Sequence, residues 1–75
     1  MKTFRLIHKR CSDRKEAEKS LVALKDKAKE PFVFQSNISR AWLVVLCEVD
    51  TEDEAWKAYT WFKEHQIEAF VQRII

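Results

Sequence analysis

Residues 38 positions apart repeat along this chain, and this repeat constrains the fold more than any other feature of the sequence. Shifting the sequence by this offset superimposes Glu16 on Glu54, Ala17 on Ala55, Lys19 on Lys57, Lys25 on Lys63, Glu30 on Glu68, Phe32 on Phe70 and Val33 on Val71. Stacked repeat proteins need about three units, and this chain holds only two. The repeat therefore predicts one pseudo-twofold domain over residues 1–75, with halves of about 1–37 and 38–75.

The first half has the pattern of a strand, a helix and a strand. Residues 2–9 alternate between two faces, as a strand does. Ser12 or Asp13 is the expected helix cap, and Pro31 is expected to end the helix before a strand at residues 32–35. The apolar stripe of this helix is Ala17, Leu21, Leu24 and Ala28.

The second half repeats this pattern. Residues 41–49 form a nearly continuous apolar strand, which indicates a central place in the sheet. Asp50 or Thr51 is the expected cap of the second helix, and residues 67–75 form the last strand. The second helix has its stripe at Ala55, Ala58, Tyr59 and Phe62. Because the chain has no glycine, Asn37 is the predicted left-handed residue of the turn between the halves.

The order βαββαβ predicts a ferredoxin-like α+β fold, a four-stranded antiparallel sheet with two helices on one face. Right-handed crossovers place the first and third strands at the centre. The core is then predicted from both helix stripes together with Phe4, Leu6, Trp42 and Val44. The opposite face, here called the open face, is predicted to carry Arg5, Ile7, Lys9, Leu43, Val45 and Cys47, joined by Val33 and Gln35 or, in the other register, by Phe32 and Phe34.

Composition excludes several classes of protein. The absence of glycine excludes Gly-rich phosphate loops and dinucleotide fingerprints, which need a backbone without Cβ. The longest apolar run, residues 41–47, is far shorter than the roughly 20 residues that span a bilayer, so no membrane insertion is expected. No secretory h-region follows Met1, so we expect a cytoplasmic protein with free thiols at Cys11 and Cys47 and no disulfide.

Nothing in the sequence assembles a catalytic site. His8 and Cys11 are close enough to serve as base and nucleophile or as two metal ligands, but a metal site needs three or four ligands. The acidic residues 52–54 fit the start of a helix better than a carboxylate cluster. We therefore expect no enzyme, no cofactor and no metal.

Nucleic-acid binding is a less favoured alternative. The third strand, Arg40 to Leu46, resembles the signature strand of RNA-recognition motifs, without its glycine and alternating aromatics. If Trp42 faces the helices it cannot stack on a base. The sequence does not decide which face of the sheet Trp42 occupies. The basic residues that phosphates would meet are Lys2, Arg5, Lys9, Arg10, Arg14 and Lys15, against a net charge of only +2.

The predicted open face suggests a function. It combines an apolar centre with a polar rim, the form of an interface, and 75 residues leave nothing to cover it from within. We therefore predict a small non-enzymatic binding module, acting on a protein partner or on a second copy as a homodimer, with a regulatory role. Trp56 and Trp61, which lie off the stripe of the second helix, are either flanks of the core or partner anchors.

One family resemblance covers nearly the whole chain. The segments CSDRKEAEKSLVAL, VDTEDEAWKAYTWF and IEAFVQRI resemble SPOR domains, which share this length, order and twofold repeat. SPOR domains bind septal peptidoglycan glycan strands on their open sheet face. The resemblance implies a groove lined by Arg5, Ile7, Lys9, Gln35, Leu43 and Val45, although the strand-end glycines of the family are replaced by Lys9-Arg10 and Cys47-Glu48.

Overall fold

The computed structural model of the chain describes residues 2–74. Four strands and two helices follow one another in the predicted order. They are β1 (Phe4–Cys11), α1 (Arg14–Leu24), β2 (Phe32–Gln35), β3 (Trp42–Val49), α2 (Glu52–Glu64) and β4 (Phe70–Arg73). The fold is therefore α+β, as the alternation of the sequence predicts.

The strands form one antiparallel sheet in the order β2-β3-β1-β4. This is the strand arrangement of the ferredoxin-like fold, and β1 and β3 are central as predicted. Both helices pack on the same face of the sheet. There one buried cluster, here called the helix-side cluster, joins residues of α1, α2 and the central strands. Its members include Leu6, Ala17, Leu24, Val44, Leu46, Ala55 and Phe62. Phe4, Trp42 and Tyr59 pack against this cluster half-buried, and Leu21 is half-buried as well.

Side-chain caps fix where both helices begin. Asp13 is the cap of α1, and its carboxylate accepts a hydrogen bond from the Lys15 amide at 2.6 Å. Thr51 is the cap of α2: its hydroxyl accepts from the Glu54 amide at 3.2 Å and donates to the Glu54 carboxylate at 3.1 Å. These bonds satisfy amide groups that have no partner inside the helix.

The helices end in different ways. In α2, Ile67 N–H donates to Phe62 O at 2.8 Å and Gln66 N–H donates to Lys63 O at 3.1 Å, with Gln66 left-handed at φ 61°. This is a Schellman motif built without glycine. The expectation that α1 reaches its proline is wrong, because it ends at Leu24 and turns lead to β2.

Two more local expectations are corrected. The left-handed residue before β3 is Arg40, at φ 62°, and not Asn37. The last strand begins only at Phe70, although Ile67 is buried in the core, and Ile75 lies outside the described residues.

Two β-bulges interrupt the central pairing of β1 with β3. Leu6 pairs with Cys47 and Ile7 with Val45, which leaves Leu46 as the extra residue of β3. Lys9 then pairs with Val44, which leaves His8 as the extra residue of β1. A bulge puts two consecutive residues opposite one, so the alternation of faces shifts at each of these points.

Candidate functional site

A continuous row of four apolar side chains crosses the open face. Phe32 of β2 pairs with Val45 of β3, Val45 with Ile7 of β1, and Ile7 with Phe70 of β4. Ile7, Val45 and Leu43 are buried, yet none of them belongs to the helix-side cluster. The row therefore lies on the face away from the helices, as predicted for its two central members.

The pairing of β2 decides which of its residues share this face. Phe32 lies opposite Val45 and Phe34 opposite Leu43, while Val33 packs against the helix-side cluster. Gln35 pairs with Trp42 on the helix side and its amide donates to the Arg40 carbonyl at 3.0 Å. The placement of Gln35 on the open face is therefore wrong, and the register with the two phenylalanines is the one that forms.

The bulges also move two other predicted residues. Cys47 pairs with Leu6 and packs against the helix-side cluster, so it is not on the open face. Lys9 pairs with Val44, whose side chain is in that cluster, and Arg10 takes the register position opposite Leu43 instead. Strict alternation predicts the wrong face for Cys47 and Lys9 because it contains no extra residue.

Arg5 covers the middle of the open face. Its guanidinium carbon lies 4.4 Å from the centroid of the Phe34 ring. Arg5 is on β1 and Phe34 on β2, with β3 between them, and strands lie about 4.8 Å apart. The Arg5 side chain must therefore cross above β3, where Val45 is 0% exposed. The expectation that this face needs a cover from outside the chain is wrong for its centre, because Arg5 supplies one.

Glu48 anchors this arginine. Arg5 Nη2 donates to Glu48 Oε2 at 3.0 Å, with the two side chains only 17% and 27% exposed. Arg5 Nε is buried without a hydrogen-bond partner among the described residues. The ion pair holds the side chain flat along the sheet and neutralises its charge.

The exposed apolar groups of the open face are at its edges. Phe32 is 36% exposed and Phe70 is 47% exposed, one at each end of the row. The stack of Phe34 against Phe32, with ring centroids 6.2 Å apart, extends the patch along β2. Sequence reasoning missed Phe70, although the repeat pairs it with Phe32 as it pairs Ile7 with Val45.

Trp56 and Trp61 lie on α2 outside the core. They are 52% and 45% exposed. Trp56 contacts Tyr59 edge to face at 5.5 Å between ring centroids, and Trp61 stacks on His65 at 3.7 Å. Half of each indole is thus held by the helix and half is free to meet another molecule.

Trp42 faces the helices. It packs half-buried against the helix-side cluster, and the Arg14 guanidinium carbon lies 5.6 Å from its ring centroid. It is therefore not a base-stacking platform on the open face.

The predicted chemical candidates each have another role in the fold. Cys11 is buried in the helix-side cluster, and His8 Nδ1 donates to the Glu68 carbonyl at 2.6 Å. Residues 52–54 form the first turn of α2. Among residues 2–74, no group of three or more His, Cys, Asp or Glu side chains is arranged to hold a metal ion. Both cysteines are free.

Comparison of the chain with protein-family models, with curated proteins and with solved structures finds no match. The likeness to SPOR domains thus remains a prediction from sequence. Within residues 2–74, neither helix is long and apolar enough to cross a membrane.

Proposed function

We propose that this chain is a non-enzymatic binding module whose open face pairs with the open face of a second copy. The observation that carries the proposal is the row Phe32–Val45–Ile7–Phe70, which ends in exposed phenylalanines at both edges of the sheet. Exposed aromatic side chains beside a buried apolar centre are the usual anchors of protein interfaces.

The symmetry of the row favours a second copy as the partner. The repeat relates Ile7 to Val45 and Phe32 to Phe70, so from either edge of the sheet the row is a phenylalanine, two β-branched residues and a phenylalanine. A twofold dimer brings one surface patch against itself and therefore needs a self-complementary patch. A pseudo-twofold axis through the sheet would give this row that property.

The size of the open face predicts weak association. Its central strands have 8 residues, or about 26 Å, and four strands span about 14 Å between outer axes. Each copy then contributes about 400 Å², so the pair buries less than the roughly 1,200 Å² of standard interfaces. We expect a transient dimer that forms with rising concentration, which suits a regulatory role.

The ion pair of Arg5 with Glu48 favours an apolar contact over a phosphate contact. Because Glu48 already binds the guanidinium, Arg10 is the cation of the central strands that remains on this face. An apolar contact is nearly insensitive to salt, whereas phosphate binding weakens steeply as salt rises.

Sedimentation velocity from micromolar to millimolar protein tests the proposal. We expect the wild type to shift from monomer towards dimer, and Phe70→Lys to remain monomeric because its ammonium cannot be desolvated cheaply. Ile38→Lys is the matched control: Ile38 is 98% exposed in the turn before β3, away from the open face. It should dimerise as the wild type does.

Three results would contradict the proposal. A monomer at all concentrations excludes self-pairing. Equal dimerisation of wild type and Phe70→Lys places the interface elsewhere. Binding of single-stranded RNA with a steep salt dependence, or of a peptidoglycan glycan strand, lost in Phe70→Lys, assigns the open face to that ligand instead.

A further inference from the structure

A groove opens on the helix side of the sheet, beside β2 and β3, and Phe32 at one end of the open-face row is part of its rim. Leu46 and Cys47 of β3 form its floor, the segment after α1 forms one wall, and the C-terminal half of α2 forms the other. It encloses about 680 Å³, within the range of roughly 300–1,000 Å³ for small-molecule sites.

Two local departures from regular structure create this groove. The β3 bulge brings the consecutive residues Leu46 and Cys47 to the helix side. The early end of α1 at Leu24 leaves only turns and bends over residues 25–30 above them. Ala28 and Ala58 line the two walls, and their short side chains keep the space between the helices unfilled.

The inside of the groove is apolar and uncharged. Phe62 and Trp61 of α2 complete the lining, with Phe62 buried and Trp61 half exposed. Burial, and to a smaller extent the Glu48 carboxylate, raise the pKa of the Cys47 thiol. This thiol is therefore neutral at neutral pH and puts no charge on the floor.

The mouth of the groove is cationic. Lys27 and Lys29 line it and form no ion pair with any described residue. Two other charged residues of the lining are already engaged: Lys2 pairs with Asp50 at 3.8 Å and Glu48 with Arg5 at 3.0 Å. Within the lining of the groove, Glu30 is the remaining acidic residue against these two lysines, so positive charge is in excess there.

We propose that this groove binds a small amphiphile with an aliphatic body and a single carboxylate. The body would lie on Leu46, Cys47 and Phe62 between the helices, where burial of apolar surface drives binding. The carboxylate would lie at the mouth beside Lys27 and Lys29, still in contact with water, so neither charge is buried.

Decanoate and decyltrimethylammonium, which share a chain length and differ in charge, are the probes. In Trp42→Phe, Trp56→Phe protein, where Trp61 is the one remaining tryptophan, decanoate should change the emission of Trp61, which lines the groove. In wild-type protein it should slow alkylation of Cys47 by iodoacetamide, while Cys11, only 2% exposed, serves as an internal reference. The cation should produce neither effect at the same concentration.

Charge reversal locates the carboxylate. The double variant Lys27→Glu, Lys29→Glu should weaken decanoate binding about tenfold, as expected when two exposed charge contacts are reversed. Lys15→Glu, Lys19→Glu is the matched control, since both lysines are exposed on α1 away from the groove. It should bind decanoate as tightly as the wild type.

The proposal fails if the cation binds as well as decanoate, if the two double variants behave alike, or if Cys47 gains no protection. The test is separate from that of the open face, because Phe70 does not line this groove. Phe70→Lys should lose self-association and keep decanoate binding. Loss of decanoate binding in Phe70→Lys monomers would show that the ligand sits in the dimer interface, and would overturn the groove.

Discussion

The two connections from helix to outer strand differ sharply, although the repeat makes them equivalent. After α2, the Schellman motif at Gln66 brings Ile67 into the core, where it is 5% exposed. After α1 no left-handed residue occurs, and the chain runs through turns to Pro31. A tight helix end thus places Ile67 in the core on one side of the molecule, while on the other side the chain passes through turns that line the groove.

The strand residues beside these two connections differ in chemistry as well. Leu46-Cys47-Glu48 lies beside the first, and His8-Lys9-Arg10, 38 residues earlier, lines a depression of about 650 Å³ beside the second. The first set offers a neutral apolar floor and the second a basic surface. The two halves have the same order of elements and present two surfaces of different chemistry.

The largest effects are expected at the last buried residue of each helix. Leu24 is 4% exposed and Phe62 is 7% exposed. Leu24→Ala should lower the free energy of unfolding by about 2–5 kcal/mol and Phe62→Ala by about 3–5 kcal/mol, because each leaves a core cavity. Urea denaturation measures both, with Val22→Ala, 65% exposed, as control within about 0.5 kcal/mol. An unchanged denaturation midpoint in Leu24→Ala would show that α1 does not pack in the core through Leu24.

A smaller effect is expected at Arg5, where the repeat places Leu43 in the other half. Arg5→Ala removes the stack on Phe34, the bond to Glu48 and the cover of Val45, and should cost about 1–2 kcal/mol. Arg10→Ala, at an exposed position near the other end of β1, should change stability by less than about 0.5 kcal/mol. Equal effects of the two variants would mean that Arg5 does not cover the sheet.

Glycine at the two equivalent helix ends should act in opposite directions. The left-handed conformation costs a residue with a Cβ about 1–2 kcal/mol, and Gln66→Gly removes this cost. The conformational entropy of glycine in the unfolded chain offsets part of the gain, so we expect the free energy of unfolding to rise by about 0.5–1 kcal/mol. Ala28→Gly, 38 residues earlier and without positive φ, should lose about 0.5–1 kcal/mol. Thermal denaturation of both variants measures the contrast, and a loss in both would contradict the Schellman assignment.

The smallest effect is the pH dependence that Cys47 gives to the free energy of unfolding. The repeat aligns Cys47 with Lys9 of the first half. The raised pKa of Cys47 means that folding favours the neutral thiol. The contribution to stability is therefore complete below about pH 8.5, the ordinary pKa of a thiol, and is lost as the pH rises through the higher pKa of the folded state. Cys47→Ala should flatten the stability profile above that pH. A stability profile that the substitution leaves unchanged would show that folding does not raise the pKa of the Cys47 thiol.

Alternation and the repeat predict the order of elements, the central strands and the shared face of Ile7 and Val45, whereas the face of Trp42 is decided only by the structure. These depend on periodic burial, which is visible in a single sequence. The faces of Cys47 and Lys9 depend on β-bulges. A bulge adds one residue to a strand, and the alternation of apolar and polar residues does not indicate where it occurs. The structure alone reveals it.

The cover of the open face was also out of reach from sequence. Arg5 reads as a polar rim residue, and only the sheet order shows that its side chain must pass over β3 to reach Phe34. The left-handed positions Arg40 and Gln66 were missed for a similar reason. Backbone geometry normally assigned to glycine or asparagine had to fall on other residues in a chain that has no glycine.

The strand pairing ties the two halves of the chain together. β1 pairs with β3 and β4, and β2 pairs with β3, so every ladder of the sheet joins residues before 38 to residues after it. A fragment of the first half has two strands that are not neighbours, and neither can find its partner. β2 and β3 can pair across the short turn of residues 36–41, but the central ladder of β1 with β3 must close a loop of about 30 residues between Cys11 and Trp42, which is slow compared with helix formation. The repeated halves should thus unfold in one cooperative step, and separate fragments should gain structure only when mixed.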